Sequence, residues 1–376
     1  MPSSPGCLNQ SRDETFDMAS LQAKVNQRPI PSADRERAKR MNHVFIIAEA
    51  GVNHNGSLEL AKELVKAAKD SGADAVKFQT FRAERLATRT AEKAKYQKAT
   101  TAKEESQLSM LRRLQLGESA HRTLLEFCRK SKIQFLSSPF DDESADLLTK
   151  IGLPIFKIPS GEITNLPFLR HIAKKKKPMI LSTGMSNLGE VEEAVHTIKT
   201  EGPCELSLLH CVTEYPAPYD EINLRAMETL RQAFGLPVGY SDHTPGIEVA
   251  VAAVALGAVI IEKHLTLDQS LPGPDHKASL EPLQFSQMVQ SIRNVSLALG
   301  NGVKRPAPCE IPNMTVARKS VVAARDLDAG HKIAAVDLLV KRPGNGIPPK
   351  QLPLVIGRHV RKAVRQDELI TWKALS

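Results

Sequence analysis

The chain has 376 residues, of which 41% are hydrophobic, enough for one large core and a smaller second one. Only 4% are aromatic, which argues against a stacking surface for single-stranded nucleic acid. The net charge of +9 fits either a basic soluble surface or a preference for anionic substrates, and charge alone does not choose.

The first 40 residues are polar and charged, lack periodicity and contain no apolar signal-peptide core, so they read as a disordered tail. Met41 directly precedes the first apolar run, so the expectation is that the tail extends upstream of the natural start. The longest apolar run, Val249–Ile261, is too short for a membrane span and is split by Gly257, so no membrane partner is expected. Five cysteines without a CxxC spacing give no disulfide framework, and a reducing, cytoplasmic setting fits them.

From Val44 onward, short apolar runs alternate with amphipathic segments. Predicted strands are Val44–Glu49, Ala75–Gln79, Ile133–Ser137, Ile155–Ser160, Pro178–Ser182, Leu206–Cys211, Pro237–Ser241 and Val259–His264. Helical patterns lie between them, such as LELAKELVKAAKDSGA, with Leu60, Leu64 and Ala67/Ala68 on one face and Gly72 as its stop. Strand then helix, eight times, predicts an α/β fold, a (β/α)8 TIM barrel over residues 41–300. An open doubly wound sheet would place GxGxxG after its first strand; GVNHNG stands there instead. Residues 301–315 read as a Pro- and Gly-rich linker, and 316–376 as a small β-rich module. The Lys174–Lys177 run reads as a solvated turn.

Barrel enzymes carry their chemistry at the C-terminal ends of the strands. Here those ends hold Glu49, Lys77 and Gln79, Ser137 and Ser138, Lys157, Ser160 and Glu162. The later ends hold Ser182 and Thr183, His210 and Tyr215, Ser241 to His243, and Glu262 with His264. His243 and His264 end neighbouring strands; they either share a divalent metal or are hydrogen-bonded separately. Glu262 and His264 are two apart and share a strand face, which turns Lys263 outward and makes it a poor Schiff-base residue. Asp242 either orients a histidine or caps the following turn. Lys77, Lys157, Ser160, Ser182 and Ser241 suit a phosphate and a carboxylate, provided that the SGE segment turns the backbone so that Lys157 and Ser160 reach one site. Asp275, in PGPDH, is either a turn residue or a substrate ligand.

The ordered motifs FIIAEAGVNHNG, GADAVKFQTF, KIPSGEITN, STGMS, HCVTEYPAP, GYSDHTPGIE, IIEKHLTLD and PGPDHKASLEP resemble the sialic acid (N-acetylneuraminate) synthases and their legionaminic acid synthase relatives. VKRPGNGIPP resembles the antifreeze-like (SAF) module of the same enzymes, and the resemblance spans about residues 43–376. It implies condensation of phosphoenolpyruvate with an N-acylated amino sugar, N-acetylmannosamine or the legionaminate precursor, to a nine-carbon 2-keto acid and phosphate. It also implies a divalent metal on His243 and His264, with Mn²⁺ first and Mg²⁺ or Co²⁺ as alternatives. By motif, Lys77, Lys157, Ser160, Ser182 and Ser241 become phosphoenolpyruvate contacts. Glu49, Tyr215, Glu262 and Asp275 fall near the sugar or the proton transfers, and Gln79 is expected among the substrate-binding residues. Arg342 matches an arginine delivered into the partner's site, which implies a domain-swapped homodimer. Val212 and Pro245 depart from the family pattern without touching an expected ligand. Glu162 is the first expectation for the carboxylate that stabilises the cationic intermediate or takes a proton from water, ahead of Glu262 and Glu49. Rival expectations are a synthase acting on phosphorylated sugars and a Schiff-base lyase of such acids.

Overall fold

The computed structural model describes residues 43–102 and 104–376, so the expected tail and the expected start at Met41 lie outside the described residues. The chain divides at Gly300/Asn301 into two units.

The first unit contains eight parallel strands: β1 (Phe45–Gly51), β2 (Ala75–Thr80), β3 (Gln134–Pro139), β4 (Phe156–Ile158), β5 (Met179–Ser182), β6 (Leu206–Cys211), β7 (Val238–Asp242) and β8 (Ile260–His264). Their hydrogen-bonded order is β3-β2-β1-β8-β7-β6-β5-β4, with β1 closing on β8, so the sheet is a nearly closed barrel. The remaining seam lies between β3 and β4. Pro139 ends β3, and Pro154 and Pro159 bracket the three-residue β4, so backbone donors are missing where the ladder would continue.

Helices pack on the barrel through apolar stripes such as the one on Leu58–Asp70. Leu58–Asp70 starts at Ser57, whose hydroxyl accepts from the Leu60 amide at 3.3 Å, and buries Ala61, Leu64, Val65 and Ala68. Full burial of Leu64 or Val65 contributes about 1.5–3 kcal/mol each. Gly72, at φ +84°, lets the chain turn back into β2.

Inside the barrel, Ile47, Ala75, Leu136, Ile180, Leu209 and Ile260 form a separate apolar layer, with Ile155 packed against it. Gly239 completes the ring: a Cβ there would lie 2.4 Å from the Ile260 carbonyl oxygen and 2.7 Å from Leu209 Cδ2, so only glycine fits. This layer is the floor of what lies above it.

The second unit pairs β9 (Ser320–Ala323) antiparallel with β10 (Leu338–Lys341) around a core that includes Val321, Ile333, Val355, Val360 and Ile370. Asp337, fully buried, is held by Arg325 at 2.7 Å and His331 at 2.8 Å. The segment read as a linker is partly ordered: a short turn over Pro308–Glu310 leads into a helix over Ile311–Ala317, both started by prolines in their first turn.

Candidate active site

Two residues beyond each floor position, on the same strand face, stand Glu49, Lys77, Ser138, Lys157, Ser182, Cys211, Ser241 and Glu262. All eight line one cavity of about 410 Å³. The register brings them to a common level: Glu49 lies opposite Lys77 on one side and His264 on the other, and Ser241 lies opposite Glu262. The apolar layer thus excludes water from below while the next layer supplies charge.

The charges are densely paired. Lys77 Nζ is 2.6 Å from Glu49 Oε2 and 3.8 Å from Glu262 Oε1, and it donates to Ser138 Oγ at 3.1 Å. Lys157 Nζ lies 3.1 Å from Glu262 Oε1, which also accepts from the Ser241 hydroxyl at 3.1 Å. Burial alone would raise the Glu262 carboxyl, but Lys157 and Lys77 hold it down at about 2. Burial pushes Glu49 up, with Glu262 adding to the push and Lys77 only partly offsetting it. Burial lowers Lys157, whereas for Lys77 the same penalty is outweighed by Glu262 and Glu49, which raise it. Burial, reinforced by Glu49, raises Asp275 to about 7.

His243 and His264 both line the cavity, with ring centroids 5.3 Å apart. His243 Nδ1 lies 2.7 Å from the Val212 carbonyl, an arrangement in which Nδ1 donates and Nε2 keeps its lone pair. His264 Nδ1 is buried without a partner, 4.0 Å from Asp275 Oδ2. Two imidazoles with free nitrogens beside a carboxylate suit a divalent ion. Among the described residues no group of three or more His, Cys, Asp or Glu is placed to hold a metal ion, so an ion on His243 and His264 would need its further ligands from water or substrate. Tyr215 packs its ring on His243 at 4.1 Å and meets His264 edge-on at 5.5 Å.

The turn required of SGE exists: Ser160–Glu162 is a 3-10 turn, and Lys157, Ser160 and Gly161 line the same cavity. Ser160 Oγ accepts from the Gly184 amide at 3.0 Å. Glu162 is different. It does not line the cavity, and its carboxylate accepts from Asn165 Nδ2 at 2.8 Å. Side-chain direction, not backbone position, separates it from the carboxylates that do face inward, Glu49 and Glu262. His210, of the opposite parity to Cys211, likewise points away and bonds the Ile222 carbonyl at 2.7 Å. Gln79 reaches Glu49 Oε1 at 3.3 Å, and Asp275 lines the cavity beside it. Arg342 is exposed on the second unit, directly after β10.

Three features were not anticipated from the sequence. Cys211 lines the cavity, although its position two residues after Leu209 would have signalled it. Tyr96, from the long segment between β2 and β3, lies 4.9 Å from Tyr215. Leu86, Met110, Leu111 and Leu114, from the same segment, give the cavity an apolar wall. No strand periodicity reaches that segment, so nothing in the sequence placed it over the barrel mouth.

The GVNHNG loop ties the β1 end to the segment after β8. Asn53 Nδ2 donates to the Leu265 carbonyl and to Ser279 Oγ, both at 2.9 Å, and Ser279 Oγ donates to the Asp275 carbonyl at 2.7 Å. Asn55 bonds His276 at 3.2 Å, and His276 bonds Thr266 at 2.7 Å. His54 and His276 are both fully buried, and burial lowers each to about 4. The unfolded chain therefore binds more protons between about pH 4 and 6.5, and stability is lost as pH falls through that window. Thermal melts between pH 7 and 4.5 should show a falling midpoint, and the fall should be shallower in a folded His54→Gln variant. An identical slope in that variant would remove His54 from this account.

The NeuB family model matches residues 64–304, and the SAF domain model matches 318–376. The chain belongs to the NeuB family. Among its relatives, the N,N'-diacetyllegionaminic acid synthase of Campylobacter jejuni is 52% identical over 88% of this chain and 99% of that protein. The synthase of the same name from Legionella pneumophila is 50% identical over 88% of this chain and 94% of the relative. A crystal structure of the N-acetylneuraminic acid synthetase of Leptospira borgpetersenii superposes with a TM-score of 0.66 at 36% identity, covering 72% of this chain and 90% of that one. This NeuB chain is thus a carbon–carbon bond-forming synthase, and no helix among its described residues is long and apolar enough to cross a membrane.

Proposed function

We propose that the chain condenses phosphoenolpyruvate with an N-acylated amino sugar and water, giving a nine-carbon 2-keto acid and phosphate. The observation that carries this reading is the pair of buried lysines, Lys77 and Lys157, set around Glu262 at the floor of a cavity that also holds His243 and His264. Lys77, Lys157, Ser160, Ser182 and Ser241 would hold the phosphate and carboxylate of the enol substrate. A divalent ion on His243 and His264, Mn²⁺ first, would supply Lewis-acid polarisation of the sugar's carbonyl oxygen.

The enol carbon bonds the carbonyl carbon, the carbonyl π pair moves to its oxygen, which takes up a proton to become the hydroxyl, and positive charge is left at C2 of the former enol. Glu262, ionised down to about pH 2, is the fixed negative charge for that centre. Glu49, whose affinity for a proton burial increases, is placed to take one from the water that adds at C2. The C–O bond to phosphate then breaks, and the lysines receive the departing dianion. Glu162 would enter only by releasing Asn165 and turning inward. A homodimer in which Arg342 of one copy closes the site of the other belongs to the same reading, supported by the exposure of that side chain.

For the acceptor, N-acetylmannosamine was the first expectation from the sequence. The relatives at 52% and 50% identity and the apolar wall of Leu86, Met110, Leu111 and Leu114 favour a deoxy diacetamido sugar. Groups lacking a hydroxyl pack on such a wall without leaving a polar atom unpaired. A phosphate-release panel with the diacetamido sugar, free N-acetylmannosamine and its phosphorylated form tests this. We expect the first to give the highest kcat/KM, and Met110→Gln to narrow its lead by about tenfold or more. A preference for the phosphorylated acceptor would favour the rival synthase, and release with no amino sugar at all would end the reading. Borohydride trapping of a pyruvate adduct would point to the lyase; Lys263, the lysine beside the histidines, is in an ion pair and does not line the cavity.

A further inference from the structure

The residues immediately behind the two histidines form a unit of their own. Lys263 Nζ lies 2.8 Å from Asp242 Oδ2, and both side chains are 0% exposed. The two residues face each other across the β7–β8 ladder. Asp242 Oδ1 accepts from the Thr244 amide at 2.9 Å and from the Thr244 hydroxyl at 2.8 Å. Lys263 also donates to the Thr244 carbonyl at 2.5 Å. Neither Asp242 nor Lys263 lines the cavity.

A fully buried lysine–carboxylate pair adds little net stability, because desolvation offsets most of the attraction. What this pair does is geometric. It grips the backbone at 242 and 244, on both sides of His243, and anchors that grip to residue 263, between Glu262 and His264. His243 sits on the turn after β7 and not on the ladder, so strand pairing alone does not hold it. We infer that Asp242, Lys263 and Thr244 are positioning residues that set the separation of His243 and His264, and hence the affinity of the site for a divalent cation. Asp242 thus both caps the turn and orients a histidine, through the backbone and not through the imidazole. The inference rests on the proposal above that these histidines hold a metal.

The test measures Mn²⁺ binding directly, from the electron paramagnetic resonance signal of the free ion, together with melting temperature. The proteins are wild type, the double variant Asp242→Asn/Lys263→Met, and Thr244→Val. The double variant leaves no unpaired buried charge, so a purely structural role predicts wild-type Mn²⁺ affinity once it folds. Positioning predicts a melting temperature close to wild type with Mn²⁺ affinity at least about tenfold weaker. Thr244→Val keeps the ion pair and should weaken Mn²⁺ binding by a smaller factor. Wild-type affinity in the folded double variant overturns the inference. If the double variant does not fold, unchanged affinity in Thr244→Val overturns it and weakened affinity supports it. A wild-type protein that binds no Mn²⁺ would overturn the metal reading itself, and this inference with it.

Discussion

Exhaustive chelation should abolish phosphate release, and Mn²⁺ should restore it, with Mg²⁺ or Co²⁺ restoring less. The expectation comes from the donor set. The arrangement around His243 leaves Nε2 free as an acceptor, His264 has a buried unpartnered Nδ1, and Asp275 lies 4.0 Å away. Unpaired buried nitrogens are costly unless something completes them, and neutral imidazole is a good ligand for a divalent ion. His243→Ala and His264→Ala should each lower kcat/KM by about 10³-fold or more. Residues acting as one unit are not additive, so the double variant should be little worse than either single one. Steady-state phosphate release on metal-free and reloaded protein measures this, and full activity after complete metal removal would end the reading.

Lys157→Met should lower kcat/KM for phosphoenolpyruvate by about 10²- to 10³-fold, with KM rising, because a buried donor to the anionic substrate is lost. The same change strips Glu262 of its nearest cation, at 3.1 Å, and leaves Lys77 at 3.8 Å. Breaking one side of a buried pair costs about 3–5 kcal/mol, so the melting temperature should fall as well. The pH dependence separates the two effects. A carboxyl depressed to about 2 contributes stability that is fully present above its unfolded value of 4.5 and is lost as pH falls toward 2. In Lys157→Met the Glu262 carboxyl should titrate higher, so that part of this contribution disappears and the acid-induced loss of stability between pH 4.5 and 2 becomes smaller. Glu262→Gln in the same background should recover part of the melting temperature and none of the activity. Unchanged KM with normal melting would remove Lys157 from the substrate site.

The strands were legible because burial on a period of two leaves a plain record. All eight predicted strands overlap the observed ones, and the shifts at their ends are small. The polar ends were legible for the same reason, since a charged residue after an apolar run has to face something. Strand parity also separates Cys211, which faces the cavity, from His210, which does not. Glu162 shows where such reasoning stops. Once the chain leaves the ladder in a 3-10 turn, alternation no longer dictates direction, and a local bond to Asn165 takes the carboxylate.

By itself the sequence determined that the chain alternates strand and helix eight times, that its strand ends carry lysines, serines, carboxylates and two histidines, and that Lys263 is turned away from Glu262 and His264. These follow from rules local to a strand or a helix. Only the tertiary structure decided which ends are neighbours and at what distance. The contact of Lys77 with Glu49 and Glu262, the buried pair of Asp242 with Lys263, and the apolar wall from residues 86–114 all join segments far apart in the chain. Their energies depend on separation and burial, which come into being only when the barrel closes.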